Sequence, residues 1–518
     1  MIFFAPFEPD KSPFNAEATD VATNAIPVAD GWGPFPSFEA LSATLGSECR
    51  GAIVGRSTAG DYSIFAFTAT AIWKYVQGTA TWTDVSRLVG GAYNLADDEF
   101  WSIIQFGPYI VATNIGDVMQ VYDLDSASNF SALAGSPPQA KYIWVCGGYL
   151  FAGNTTAGAD RIYNSGLEDI SQWTVGEAGS DFQPGGGSGE VVGGVGDQFG
   201  GYVFYSDRVR RIQLTPNTGY TYSLTDVNVS RQTVAPYSIV SIGPNDFIHY
   251  CNDGFFRGPN ATPIGAQRVD EWFADYADLG MIAQIQGTID PIKKIAWFTF
   301  QTTLGTNKVL GYHWQLDRWT LLDTVQTYLV PLATAGYTLE DIAALYPSIE
   351  DVPYSLDSYV WAGGRPAFAG FNSDGTFGFF SGGAAAATLE TANVQDASER
   401  SFVNAVRPIT DASGVSVTVG ARDSHSDTVT WGTAATANSR TGLCPARSSG
   451  RLHKYRMTIP ADTEWTIAHG VEPVAVPEGQ AWHRRSTRSA GMSVIMNCGT
   501  CLRRLLPSSR PRKTRFRL

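Results

Sequence analysis

Along the middle of the chain, an aromatic residue followed by a small polar one closes a turn at a nearly constant interval. The stretches "AIWKYVQGTATWTD", "QVYDLDSASNFSA", "IYNSGLEDISQW" and "LGYHWQLDRWTLL" carry this signal at Trp82, Phe130, Trp173 and Trp319. Weaker copies fall at Tyr222 in "GYTYSLTD" and at Trp272 in "RVDEWFAD". Successive positions are 48, 43, 49, 50 and 47 residues apart. A period of roughly 40–50 residues, filled by short alternating runs and Gly-rich turns, is the signature of β-propeller blades, each a four-stranded sheet. One such sheet has two apolar faces and cannot bury both alone. It must stack on neighbours around an axis, and the recurring aromatic is expected to be the wedge between them.

Other features point the same way. The runs "YSIFAFTATAIWKYV", "SIIQFGPYIVATNI", "YIWVCGGYLFAG", "GYVFYSDRVRRIQL", "DFIHYCNDGFFRG" and "KKIAWFTFQTT" are rich in β-branched and aromatic residues and end on Gly, Asn, Asp or Pro. Charged residues make up only 16% of the 518, against 54 Gly and 14 Trp, a balance that favours sheets and turns. The best helical signal is "TLEDIAALY", with Thr338 as its cap and acids in its first turn. The fold expected is all-β: a propeller of six or seven blades over residues 46–400. No apolar run approaches the roughly 18 residues that cross a bilayer, and the acid- and proline-bearing start reads as neither a signal peptide nor an anchor. Cys49, Cys146, Cys251 and Cys444 are widely separated, which suits reduced, buried thiols of a chain made in a cytosol. Cys498 and Cys501 form a CxxC pair without the partners of a zinc site.

The ends differ from the middle. Residues 1–45 read as an extended, proline-punctuated arm whose Phe3, Phe4, Phe7, Trp32 and Phe35 are exposed unless something covers them, making them candidates for docking a partner. Residues 401–480 alternate with period two and are expected to be further antiparallel strands, as a small sheet domain or closing the ring. Residues 481–518 hold ten Arg or Lys and no acid, leaving the preceding body near −23. Arg484, Arg485, Arg503, Arg504 and Arg512 are the contacts this basic tail would use.

Chemistry is sparse. The nucleophile-elbow, Walker and HExxH patterns are missing, and no two of the six His lie three or four residues apart, so no helical metal pair is expected. "DLDSASNFSALA" lacks the Gly and Glu of a calcium loop and reads as a polar hairpin. "GGGSGEVVGGVGDQFGG" lacks the GK[ST] of a phosphate loop and reads as a flexible connection. "NSDGTFGFF" departs from the SxDxGxxW box of glycan-cleaving propellers and reads as a hairpin turn. No catalytic, cofactor-binding or metal-binding residue is assigned, and no enzyme activity is expected.

The segments "SGLEDISQWTVG", "DFQPGGGSGEVVGGVGDQFGGYVFYSDRVRRIQL", "APYSIVSIGPNDFIHYCNDGFFRGPNATPIGAQRVDEWF" and "VLGYHWQLDRWTLLD" resemble the tail hub, nozzle or packaged-DNA stabilisation proteins of short-tailed bacteriophages. The likeness runs from about Arg161 to Asp323, with echoes in "FEPDKSPFN" and the C-terminal strands. It implies a structural protein of the virion tail, made in the bacterial host cytoplasm. Six copies would form a ring below portal and adaptor, near tail fibre or needle proteins, and would retain packaged DNA and guide its ejection. Double-stranded DNA would pass without sequence-specific binding, which suits an acidic body. The main alternative is a propeller-fold hydrolase or lectin acting on host surface glycans; a third is a cytosolic interaction scaffold.

Overall fold

The computed structural model describes residues 1–12, 17–215, 220–229, 231–334, 339–346, 348–352, 355–357, 361, 364–394 and 400–478. The chain is all-β and propeller-like, with most strands gathered into small four-stranded sheets. Six sheets are four-stranded antiparallel units, and a seventh unit of four forms one end of a ten-stranded sheet. Their innermost strands are Gly51–Arg56, Ser102–Phe106, Ala140–Cys146, Val191–Gly196, Val240–Gly243, Gln286–Asp290 and Tyr328–Ala333. We number these units one to seven by that order.

Neighbouring units pack through their inner strands, and the strand opening unit seven lies against the strand opening unit one. Between units four and five the short turn Pro236–Ser238 makes the contact. Each junction has its own buried apolar cluster. Phe65, Phe67 and Ile72 of unit one meet Ile110, Ala112 and Tyr122 of unit two. Ile64 and Tyr75 of unit one meet Val330, Phe371 and Phe377 of unit seven.

The first six units are meanders of consecutive strands, but unit seven borrows its outer strand. Pro36–Ala40 pairs antiparallel with Phe377–Ala384, matching Phe380 with Phe38 and Gly378 with Ala40. The described residues among 1–34 lie on the chain's own strands. Ile2–Phe3, Ala25–Val28 and Gly31–Pro34 join Ser401–Thr410, Cys444–Gly450 and Ala468–Pro477 in a six-stranded sheet. Thr19–Thr23 docks parallel to Arg318–Leu322 of unit six and antiparallel to Ala387–Thr391, from which Leu452–Ile459 and Ser416–Arg422 continue the sheet. Residues 401–478 thus pair with the N-terminal segment, and it is that segment, not the C-terminal strands, that completes the seventh unit.

Charge ties the termini together. Lys454 reaches Asp20 at 2.5 Å and Glu390 at 2.6 Å, and Arg456 reaches Glu390 at 2.7 Å while its guanidinium lies 4.0 Å over the Trp431 ring. A carboxylate buried as deeply as Glu390 is tolerable only with such partners.

Local readings are confirmed and corrected in turn. A helix spans Leu339–Leu345; its expected cap, Thr338, lies outside the described residues. A second helix, Asp270–Tyr276, carries no clear sequence signal and contains Trp272. The glycine-rich stretch is largely not a loose connection, because Val191–Gly196 is the innermost strand of unit four. A β-carbon on Gly194 would lie 2.3 Å from the Trp144 ring, so the strand needs glycine where that indole packs. In "DLDSASNF", Asp123 accepts bonds from the Asp125 N–H and the Ser126 hydroxyl, as a polar hairpin should. Asp374 accepts from the Thr376 N–H in the turn of "NSDGTFGFF", which joins Pro366–Phe371 to Phe377–Ala384.

Candidate functional site

Five of the six periodic aromatics lie between neighbouring units, each against the unit before its own. Trp82 of unit one packs on Phe371 and Phe377 of unit seven, at 6.1 Å between ring centroids in both cases. Phe130 of unit two meets Phe65 and Phe67 of unit one at 6.0 and 5.7 Å. Trp173 of unit three joins Val111 and Met119 of unit two in one cluster. Tyr222 of unit four lies 5.2 Å from Phe151 of unit three and donates its hydroxyl to the Ile162 carbonyl. Trp319 of unit six lies 5.2 Å from Phe255 of unit five and donates its indole N–H to the Ile264 carbonyl. Trp272 is the exception: it sits on the helix, stacks on Tyr276 and meets Phe7 edge-on at 5.5 Å.

The expected docking aromatics are reassigned by burial. Phe4, Phe7, Trp32 and Phe35 are inside the chain, covered by its own strands, and only Phe3 is exposed. Phe35 has a specific place: its ring lies 5.5 Å from Trp297 of unit six and 5.3 Å from Phe380 of unit seven. It is the wedge at the sixth junction, supplied from the opposite end of the sequence. The tail arginines Arg484, Arg485, Arg503, Arg504 and Arg512 lie outside the described residues.

A second aromatic set, which the sequence reading missed, gathers where the inner strands begin. Phe100, just before unit two, lies 5.0 Å from Tyr237, just before unit five, and 5.7 Å from Tyr328 at the start of unit seven. Tyr237 lies 6.1 Å from Tyr142 of unit three. Units two and five are not neighbours in the series, so the Phe100–Tyr237 contact reaches across between them at the end where the inner strands begin. The signal was available: positions 100, 142, 237 and 328 keep nearly the same period as the wedges, at another phase.

Two ion pairs stand beside this cluster. Lys141 pairs with Glu99 at 2.6 Å, and Arg50 pairs with Glu48 at 2.8 Å while lying 5.7 Å over the Phe100 ring. Burial pushes the phenols of Tyr142, Tyr237 and Tyr328 well above their ordinary range, so they stay protonated and supply no base near neutrality. Elsewhere His249, deep in unit five beside Thr233 and Cys251, is driven down to about 4 by burial, and the Cys251 thiol is pushed up to about 12. A neutral imidazole beside a protonated thiol, both sealed from solvent, is packing and not a nucleophile pair. Cys49, Cys146 and Cys444 are also buried and unbridged. Among the described residues no three or more His, Cys, Asp or Glu are grouped to hold a metal, and no helix is long and apolar enough to cross a membrane.

No protein-family model and no curated protein matches the chain. Solved structures resemble it loosely. A computationally designed protein, Ika8, aligns at TM-score 0.36 and 9% identity over 69% of this chain and 95% of its own. The extracellular domain of the putative hybrid two-component system BT4673 from B. thetaiotaomicron aligns at 0.32 and 9%, over 77% of this chain and 47% of its own. Puromycin hydrolase aligns at 0.35 and 11%, over 71% of this chain and 61% of its own. The chain thus spans less than two thirds of the latter two, and likenesses this loose carry no argument about activity.

Proposed function

We propose that the chain is a seven-bladed propeller acting as a structural, non-enzymatic subunit of a phage tail, assembled as a six-membered ring around the path of DNA. The observation that carries this reading is the aromatic cluster joining units that are not neighbours, which we read as a plug on the propeller axis. A propeller that works on a small substrate at its centre needs an open central cleft with convergent polar groups. Here Phe100, Tyr142, Tyr237 and Tyr328 occupy the middle, and the nearby Glu99 is committed to Lys141.

The same observation supports a path for DNA outside the single subunit. A subunit with a blocked axis cannot pass a duplex through itself, so the conduit lies between subunits, on the axis of the ring. The net acidity of residues 1–480 supports passage without grip, because a surface rich in carboxylates repels phosphates. The resemblance also becomes coherent: Arg161 to Asp323 covers the stretch from unit three to unit six, so its motifs describe blades and their junctions.

Particle imaging and mass measurement of the purified chain test this reading. The expected result is a six-fold ring with about six times the 55.9 kDa of one chain. A stable monomer that releases reducing sugar from host polysaccharide would overturn it in favour of the hydrolase alternative.

A further inference from the structure

Between units six and seven lies a cavity of about 530 Å³, within the size range of ligand sites. One side is the turn that joins Gln286–Asp290 to Ile295–Gln301. Asp290 is buried, and its Oδ1 accepts bonds from the backbone N–H groups of Ile292 and Lys293, at 3.0 Å each. This pins the turn and lays the Lys293 ammonium 4.7 Å from the centre of the Phe35 ring. The other side begins at Arg365, whose N–H donates to the Thr334 hydroxyl at 3.2 Å and whose carbonyl accepts from the Thr334 N–H at 2.9 Å. The stacked rings of Phe368 and Phe380, 5.2 Å apart, form an apolar wall.

Among the described residues, neither cation lining this cavity is held by a carboxylate, a condition shared with Arg56, Lys74, Arg211 and Arg318, whereas several others are paired. Arg87, Lys141, Arg257, Lys308 and Lys454 are each held by a carboxylate. Among the described residues, Lys293 and Arg365 have no carboxylate within ion-pair distance, although acids outnumber bases 49 to 36 over the chain. The Ser381 hydroxyl, also at the cavity, is buried without a hydrogen-bond partner. Two cations against the single carboxylate of Asp290 leave a formal charge of +1, facing an aromatic wall. Desolvation of Lys293, which lowers the pKa of its ammonium, is relieved by an anion seated beside it.

We propose that this cavity binds a small organic monoanion with a flat apolar body. The body lies on Phe368 and Phe380, the anionic group meets Lys293 and Arg365, and Ser381 contributes a hydrogen bond. This inference is independent of the tail reading and survives or fails without it.

The test uses the full chain and 8-anilinonaphthalene-1-sulfonate, with uncharged N-phenyl-1-naphthylamine as the comparison probe. The expected result is one saturable sulfonate site, tighter than that for the neutral probe and weakened by salt. The pair Lys293→Gln and Arg365→Gln should weaken it by about tenfold or more, the size expected for losing charge-assisted contacts. Near-UV circular dichroism confirms that the variant keeps its fold, and neutral-probe binding should stay within about twofold. No saturable site, equal affinity for both probes, or a sulfonate affinity unmoved by the substitutions would each overturn the proposal.

Discussion

Replacing Phe35 with alanine tests whether a residue far in sequence from the other three strands of unit seven holds its junction with unit six. The ring is 3% exposed and touches Trp297, Phe380 and the Lys293 ammonium. Truncating a buried phenylalanine costs about 3–5 kcal/mol, and the lost aromatic and cation contacts are part of that figure. Phe38 is the control: it is only partly buried and meets Phe380 alone among the ring contacts, so Phe38→Ala should cost about half as much. Because the question concerns one junction, hydrogen exchange, which reads each unit separately, is the better assay. In Phe35→Ala, amides of Pro36–Ala40, Tyr328–Ala333 and Phe377–Ala384 should lose protection, while those of units two to four keep theirs. Uniform loss across all units, or unchanged exchange in unit seven, would refute the reasoning that Phe35 wedges one particular junction.

Deleting residues 1–40 removes the outer strand of unit seven and strands from the other two terminal sheets, so it should give an aggregated product and not a folded body lacking a docking arm; size-exclusion chromatography decides. Gly194→Ala forces a methyl into the Trp144 ring and should destabilise by about 1–3 kcal/mol, read as a lower urea midpoint. Asp270 is raised to about 7, first by burial and then by Asp10, so the stability linked to its protonated form is present at low pH and lost as pH rises through about 7. Asp270→Asn should therefore be more stable than the parent at pH 8, with a gap that narrows by about 1–2 kcal/mol, after discounting for partial exposure, as pH falls from 8 toward 4. His249 acts in the opposite sense: its stability is full above about 6.5 and lost as pH falls toward 4, so His249→Gln should flatten the acid limb of a melting-temperature profile.

The periodic aromatics were legible because a blade is a local object. Its four strands follow one another, its turn residues sit at fixed offsets, and its wedge recurs once per blade, so five of six landed between units. Trp272 misled because spacing records position but not backbone conformation: Asp270 and Glu271 in a first turn, with Asp10 accepting from the Glu271 and Trp272 N–H groups, made a helix there instead. That cap comes from residue 10 and is invisible to any local reading. The same limit hid the roles of Phe4, Phe7, Trp32 and Phe35. Aromatic residues among prolines look exposed only when their partners, near residues 250–320 and 380–470, are absent from the reading.

The pairing of Pro36–Ala40 into unit seven explains why those partners lie so far away. A linear series of meanders ends with two unequal edges, and an unpaired edge strand invites association with other chains. Filling the outer place of unit seven with Pro36–Ala40 makes that unit depend on both ends of the chain. The loop closed by that pairing spans more than 300 residues, yet loop-closure entropy grows only logarithmically, by about 0.6 kcal/mol per doubling of length. A handful of interfacial contacts of the Phe35 kind outweighs it. What closure requires is a segment free to arrive late, and a stretch broken by Pro6, Pro9, Pro27, Pro34 and Pro36 resists premature helix or sheet formation of its own. The prolines that made the N-terminus look like an arm are, on this argument, what keeps it available to serve as the last strand.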